Sequence, residues 1–116
     1  MTIHNNLVYL KHILDAIDDI QASISSMSKV NFQKNKDVRD AIVRRLEIIG
    51  EAAKNVSGDL KKKYPTIEWK KVAGTRDIMI HAYFRVDFDI VWNIMKNDLP
   101  TLKENILKIK EELEKS

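Results

Sequence analysis

Residues 3–27 read Ile3-His-Asn-Asn-Leu-Val-Tyr-Leu-Lys-His-Ile-Leu-Asp-Ala-Ile-Asp-Asp-Ile-Gln-Ala-Ser-Ile-Ser-Ser-Met27, and their spacing decides the fold. Ile3, Leu7, Leu10, Leu14, Ile17 and Ile24 recur at alternating steps of four and three, with Gln21 the one exception. Ile13, Ile20 and Met27 widen that seam. A helix turns ~100° per residue, so this spacing keeps apolar side chains on one side, whereas a strand would alternate with period two. A stripe of this width predicts a long bundle helix that must be covered by partner helices. His4 and His12 fall off the seam and read as solvated surface. Ser25, Ser26 and Ser28 close the segment, and the polar stretch to Lys36 reads as a loop.

The same period continues outward. A second helix is expected from Asp37 to about Ser57-Gly58, with Val38, Ile42, Leu46, Ile49, Ala53 and Val56 facing inward. Gly50 lies in its middle at a cost of ~1 kcal/mol against Ala. With Ala52 and Ala53 it makes a small-residue patch that allows another helix close, within the bundle or across a dimer interface. Gly58 reads as a C-cap. Lys61, Lys62 and Lys63 then form a basic run, which serves as solvated surface or, beside a nucleic-acid site, as phosphate contacts. Thr66 is expected to cap a short helix from Ile67 to Val72, anchored by Trp69. Asp87 should cap a helix carrying Phe88, Val91, Trp92 and Met95. Pro100 predicts a break near Asn97-Asp98, with Asp98 capping a final helix that carries Leu102, Ile106, Ile109 and Leu113. No strand pattern, internal repeat or Gly-rich phosphate loop is present, so the fold class is all-α, a helical bundle.

Composition sets the outer bounds. The chain has 116 residues, 44% hydrophobic and 32% charged, which suits one globular domain with one modest core. It has no cysteine, which rules out disulfides and thiolate metal sites. No signal peptide or long apolar run is seen, and the expected location is the cytoplasm. The net charge of +3 and pI near 9.1 permit an anionic partner such as RNA without demonstrating one.

The chemically able groups gather in Gly74-Thr-Arg-Asp-Ile-Met-Ile-His-Ala-Tyr-Phe-Arg-Val-Asp87. Thr75 is a candidate N-cap for a helix running to about Phe84, with Asp77 in its first turn. On such a helix Asp77 and His81 are an i,i+4 pair, and Arg76 and Tyr83 share a stripe. Arg76 and His81 point roughly 140° apart, so either the long Arg side chain swings round or two copies pool their groups at a two-fold axis. The local alternative makes Asp77 and His81 a surface pair and leaves Tyr83 half-buried.

Arg44-Arg45-Leu46-Glu47-Ile48-Ile49-Gly50-Glu51-Ala52, then Pro65, Ile67 and Trp69, then Gly74-x-Arg76-Asp77-x3-His81-x-Tyr83, then Val91-Trp92 and Leu99-Pro100, resemble the HepT family in order and spacing. These are the HEPN-domain toxins of toxin–antitoxin pairs, and the likeness runs from about Asp37 to Leu113. The resemblance implies a single HEPN-like domain over residues 1–116, homodimeric, acting as a metal-independent endoribonuclease without a cofactor. Arg76 and His81 would be catalytic in a cleft between protomers. Asp77, where many members have Asn, would be supporting, and its charge would favour a protonated His81. Tyr83 matches the family's acceptor of AMP groups, added by an MntA-like minimal nucleotidyltransferase antitoxin in what is a type VII pair.

The residues suit that chemistry. RNA supplies its own 2′-hydroxyl nucleophile, so cleavage needs proton transfer, open to His81, and charge stabilisation, open to Arg76. Two other readings remain: a non-catalytic HEPN subunit that binds nucleotide or substrate for a partner nucleotidyltransferase, and a helical dimerisation module.

Overall fold

The computed structural model describes residues 2–75, 77 and 87–115, with side chains from residue 5 onward. Seven α-helices and one π-helical turn account for most of them, and no strand occurs among the described residues. The helices are α1 (Thr2–Ile24), α2 (Lys29–Lys34), α3 (Lys36–Asn55), α4 (Gly58–Lys63), α5 (Trp69–Ala73), α6 (Phe88–Asn93) and α7 (Leu99–Lys115). The all-α expectation holds.

Three long helices make the frame. α1 packs along α3 on one side and α7 on the other, and α5 lies against α3. The seam of α1 is the spine of the core: Leu10, Ile13, Ile17 and Ile20 are wholly buried. They meet Ile42, Leu46, Ile49, Ala53 and Val56 of the α3 segment and Leu99, Ile106, Ile109 and Leu113 of α7, all buried. Gly50, Ala52 and Ala53 are buried as well, so the small-residue patch serves close packing within the bundle.

Several boundaries differ from the sequence expectation, each for a local reason. The stretch between the first two long helices is not all loop. Ser28 caps α2 by accepting the Asn31 amide at 3.1 Å, and Phe32 sinks into the core from it. Asn35 then caps α3 by accepting the Val38 amide at 3.1 Å. Gly58 does not terminate a helix. It starts α4, because the Ser57 hydroxyl accepts the Leu60 amide at 3.2 Å and Asp59 complements the helix dipole. The helix expected over 67–72 begins at Trp69 instead, since the Trp69 amide turns back to the Ile67 carbonyl at 2.9 Å.

Pro100 breaks nothing. Between α6 and α7 the chain widens into a π-helical turn, Ile94–Asp98, in which the Leu99 amide reaches the Ile94 carbonyl. Pro100 has no amide to give and its ring would crowd the carbonyl four residues back. Adding one residue to the turn relieves both problems. Asp98 therefore lies inside a continuous helical run and caps nothing.

Two polar or aromatic ties fix the shorter helices. Asn6 on α1, only 4% exposed, donates Nδ2 to the Ser57 hydroxyl and accepts the Ser57 amide, both at 3.0 Å. Phe32 meets Phe88 edge-on at 6.2 Å and Trp92 at 5.5 Å, and the Arg39 guanidinium lies 4.8 Å from the Phe88 ring. This cluster holds the start of α6.

Candidate functional site

Of the four residues of the Gly74–Asp87 stretch expected to carry function, Asp77 alone is described. Arg76, His81 and Tyr83 lie outside the described residues. What the structure gives is the way into the motif and the surface beside it.

The entry is built by α5. Trp69 is buried and its indole Nε1 donates to the Tyr64 carbonyl at 3.0 Å, which ties the α4–α5 turn to the helix. Gly74 ends α5 with its amide on the Lys70 carbonyl at 3.0 Å. The Asp77 amide comes back to the Gly74 carbonyl at 3.0 Å, so the next helical turn starts at Gly74, one residue ahead of the expected cap. The Thr75 hydroxyl donates backward to the Lys71 carbonyl at 3.3 Å. Asp77 itself is exposed.

Beside this entry runs an open cleft of about 620 Å³. One wall comes from Thr66, Glu68, Lys71 and Thr75; the other from α6, the π-helical turn and α7; the floor is apolar. The far wall carries Asn93, Asn97, Thr101 and Asn105, one every four residues. These residues do not stand out in the sequence, because neither Asn nor Thr announces chemistry alone. The available signal was their neutrality at fixed spacing in a helix otherwise dressed with Lys and Glu.

The other surface groups read from sequence find ordinary places. His12 is exposed, as expected, and stands edge-on to Tyr9 at 6.5 Å. Both line a smaller hollow of about 390 Å³ with Arg44, Glu47, Glu51 and Asn55. In it Arg44 and Glu47 approach to 3.8 Å. His4's side chain lies outside the described residues. Within the basic run, Lys61 Nζ donates to the Lys54 carbonyl at 3.3 Å and Lys63 lies 5.6 Å from the Tyr64 ring. No trio of His, Asp and Glu among the described residues has metal-holding geometry, and no helix of the described residues is long and apolar enough to cross a membrane.

A helical bundle whose sequence carries Arg-x4-His-x-Tyr after a short helix is what a HEPN-type domain should show, and comparison with known proteins agrees. The chain belongs to the HepT-like ribonuclease family, whose model matches residues 13–109. A Thermococcus cleftensis protein named probable ribonuclease HepT is 40% identical over 102 residues, covering 88% of this chain and 93% of its own length. A Methanocaldococcus jannaschii protein named as a candidate RNase is 42% identical over 106 residues, covering 91% of this chain and 88% of its own. A second protein of that organism, named for a gamma-glutamylcyclotransferase and a candidate RNase, is 46% identical over 109 residues. That match covers 94% of this chain but 49% of the relative, so the chain spans about half of that protein. No solved structure matches the chain.

Proposed function

We propose that the chain is a metal-independent endoribonuclease, one HEPN domain over residues 1–116, that acts as the toxin of a type VII toxin–antitoxin pair. The observation that carries this reading is the Arg76-x4-His81-x-Tyr83 sequence, which falls within the residues matched by the HepT-like family model. Membership in a ribonuclease family makes RNA the natural substrate, and the net charge of +3 suits a polyanion.

In this reading His81 takes the proton of an RNA 2′-hydroxyl, whose oxygen then attacks the adjacent phosphorus. The P–O5′ bond breaks and the 5′-oxygen takes a proton from a protonated His81, leaving a 2′,3′-cyclic phosphate and a 5′-hydroxyl. Arg76 binds the non-bridging oxygens and stabilises their added negative charge in the transition state. Asp77 favours and orients the protonated imidazole. Two copies of the chain pool these groups in a homodimer, which answers the roughly 140° between Arg76 and His81 on one ideal helix.

Neutralisation falls to Tyr83. Its phenolic oxygen attacks the α-phosphorus of ATP in the active site of an MntA-like nucleotidyltransferase partner, and pyrophosphate leaves. Each AMP adds about one negative charge near the substrate phosphate's place and competes for Arg76. The competing reading is a non-catalytic subunit that binds nucleotide or substrate for such a partner.

Purified wild-type protein, incubated with single-stranded RNA in EDTA, should cleave it. Arg76→Ala and His81→Ala should each lose roughly 10²–10⁴-fold in rate with unchanged circular dichroism. Cleavage that vanishes in EDTA and returns with magnesium refutes the mechanism. Cleavage that both variants retain refutes the assignment of the site.

A further inference from the structure

We propose that the cleft between α5 and the α6–α7 run is a nucleobase subsite. It would seat an amino-bearing base, guanine in preference to uracil, of the RNA strand being cut. This rests on the nuclease reading above and gives that site its sequence preference.

The volume of about 620 Å³ lies within the range of small-molecule sites. Its floor, from Ile67, Val72, Ile94 and Leu102, offers apolar contact to a flat ring. The wall residues Asn93, Asn97, Thr101 and Asn105 are poorer helix formers than the Lys and Glu found elsewhere on α7, so helix stability does not account for them. Each amide offers both donors and an acceptor, the complement that reads a base edge. Asn97 Nδ2 donates to Asn93 Oδ1, which among the described residues leaves the Asn93 donors and the Asn97 acceptor for a ligand. Reversing both amides leaves the same complement.

Charge selects the part of the RNA that enters. Among the described residues, Glu68 and Asp98 outnumber Lys71 on the rim, while Asp89 is paired with Lys29. Carboxylates repel phosphate but accept the N1–H and N2–H of guanine side by side; uracil brings one such donor among two carbonyls. The base therefore enters and the backbone stays outside. Position completes the case. Thr75 lines the cleft and immediately precedes Arg76, and Lys70 and Lys71 stand one turn earlier. A phosphate held at the motif would thus bring a neighbouring base to the cleft mouth.

The test compares wild type with Asn93→Ala/Asn105→Ala. A pool of short single-stranded RNAs, randomised around a central position, is digested and the product ends are sequenced. The same proteins are titrated into fluorescent RNAs that differ at one base. Wild type should prefer guanine at one fixed position beside the cut, and the double variant should still cleave with that preference reduced about tenfold. If the double variant does not fold, Asn105→Ala serves in its place. Equal preference in wild type and variant overturns the subsite, as does a wild type indifferent to base. A variant whose sedimentation shifts from dimer to monomer also overturns it, because the cleft would then be an interface between copies. If wild type binds RNA base-selectively through these asparagines but cuts nothing, the subsite stands and the nuclease reading falls.

Discussion

Replacing Asn6 with alanine should cost this domain a large part of its stability through one short polar tie. Asn6 is 4% exposed and makes two hydrogen bonds to Ser57, each 3.0 Å long. The same Ser57 hydroxyl caps α4 by accepting the Leu60 amide at 3.2 Å, so the tie joins the N-terminal half of α1 to the start of α4. At ~1 kcal/mol net per hydrogen bond the two bonds are worth ~2 kcal/mol. The Ser57 amide is left without its partner, and because Ser57 is half-buried, water recovers part of that loss. A total of about 2–3 kcal/mol follows, against the 5–15 kcal/mol typical of a domain. For a chain of this length it should lower the melting temperature by about 10 °C. Ser57→Ala should lose a comparable amount, because cap and tie go together. The double variant should then cost less than the sum of the two by about 1 kcal/mol. Urea unfolding followed by far-ultraviolet circular dichroism gives all three values. A loss under about 0.5 kcal/mol for Asn6→Ala, or strict additivity in the double variant, would show that the tie contributes nothing.

Phe32→Ala should destabilise by about 3–5 kcal/mol and shift the Trp92 fluorescence toward longer wavelength, because the ring is fully buried and packs on both Phe88 and Trp92. Tyr64 donates its hydroxyl to Glu112; that hydrogen bond first, then burial and the charge of Glu112, raise its pKa above the ordinary tyrosine value. A raised folded-state value means the contribution is present in full below the pH where free tyrosine ionises and is lost as pH rises through the higher value. Denaturation between about pH 9 and 12 should thus show a steeper fall for wild type than for Tyr64→Phe, and equal slopes would deny the bond. Tyr83→Phe should keep nuclease activity yet escape the cognate nucleotidyltransferase with ATP; gain of AMP mass by the variant would place the acceptor elsewhere.

The long helices were legible because packing sets their period. Leu10, Ile17 and Ile24 repeat with the turn of α1 whether or not the rest of the structure is known, and all three are buried. Boundaries were less legible, because they depend on which of several competent caps wins. The polar stretch after Ser25, Ser26 and Ser28 reads as loop, yet Ser28 caps a helix where Phe32 can reach the core one turn later. Gly58 looked like a stop, but Ser57 beside it was the stronger start, secured by Asn6 from 51 residues away. Nothing local reveals that partner. Pro100 likewise gave the right position of disturbance and the wrong outcome, since a π-helical turn absorbs a proline without a cap. For the site, the motif was readable as chemistry, whereas the amide-lined cleft beside it needed α5 and the α6–α7 run to be brought together.

The flanks of the motif matter as much as the motif. Gly74 has φ −79° and ψ −3°, a conformation open to any residue, so backbone freedom is not its reason. Close packing on its own helix is the feature a side chain would meet there. A Cβ there would stand 3.3 Å from the Lys70 carbonyl oxygen and 3.6 Å from that of Lys71. Gly74 also accepts the Asp77 amide, so α5 passes into the next turn with no spacer residue to absorb a misfit. The direction of α5 is set in turn by buried Trp69 and its bond to the Tyr64 carbonyl. Beyond the motif, Phe88 is held between the Phe32 ring and the Arg39 guanidinium. In the proposed mechanism, phosphoryl chemistry by Arg76 and His81 would tolerate errors of about 0.5 Å, so the segment that carries them would need to be fixed at both ends. Trp69 and Gly74 on one side, Phe32 and Arg39 on the other, are where this sequence can provide that fixity. On the proposed nuclease reading, a change at any of the four should lower RNA cleavage without touching RNA, and unchanged cleavage in Phe32→Ala or Trp69→Ala would refute this.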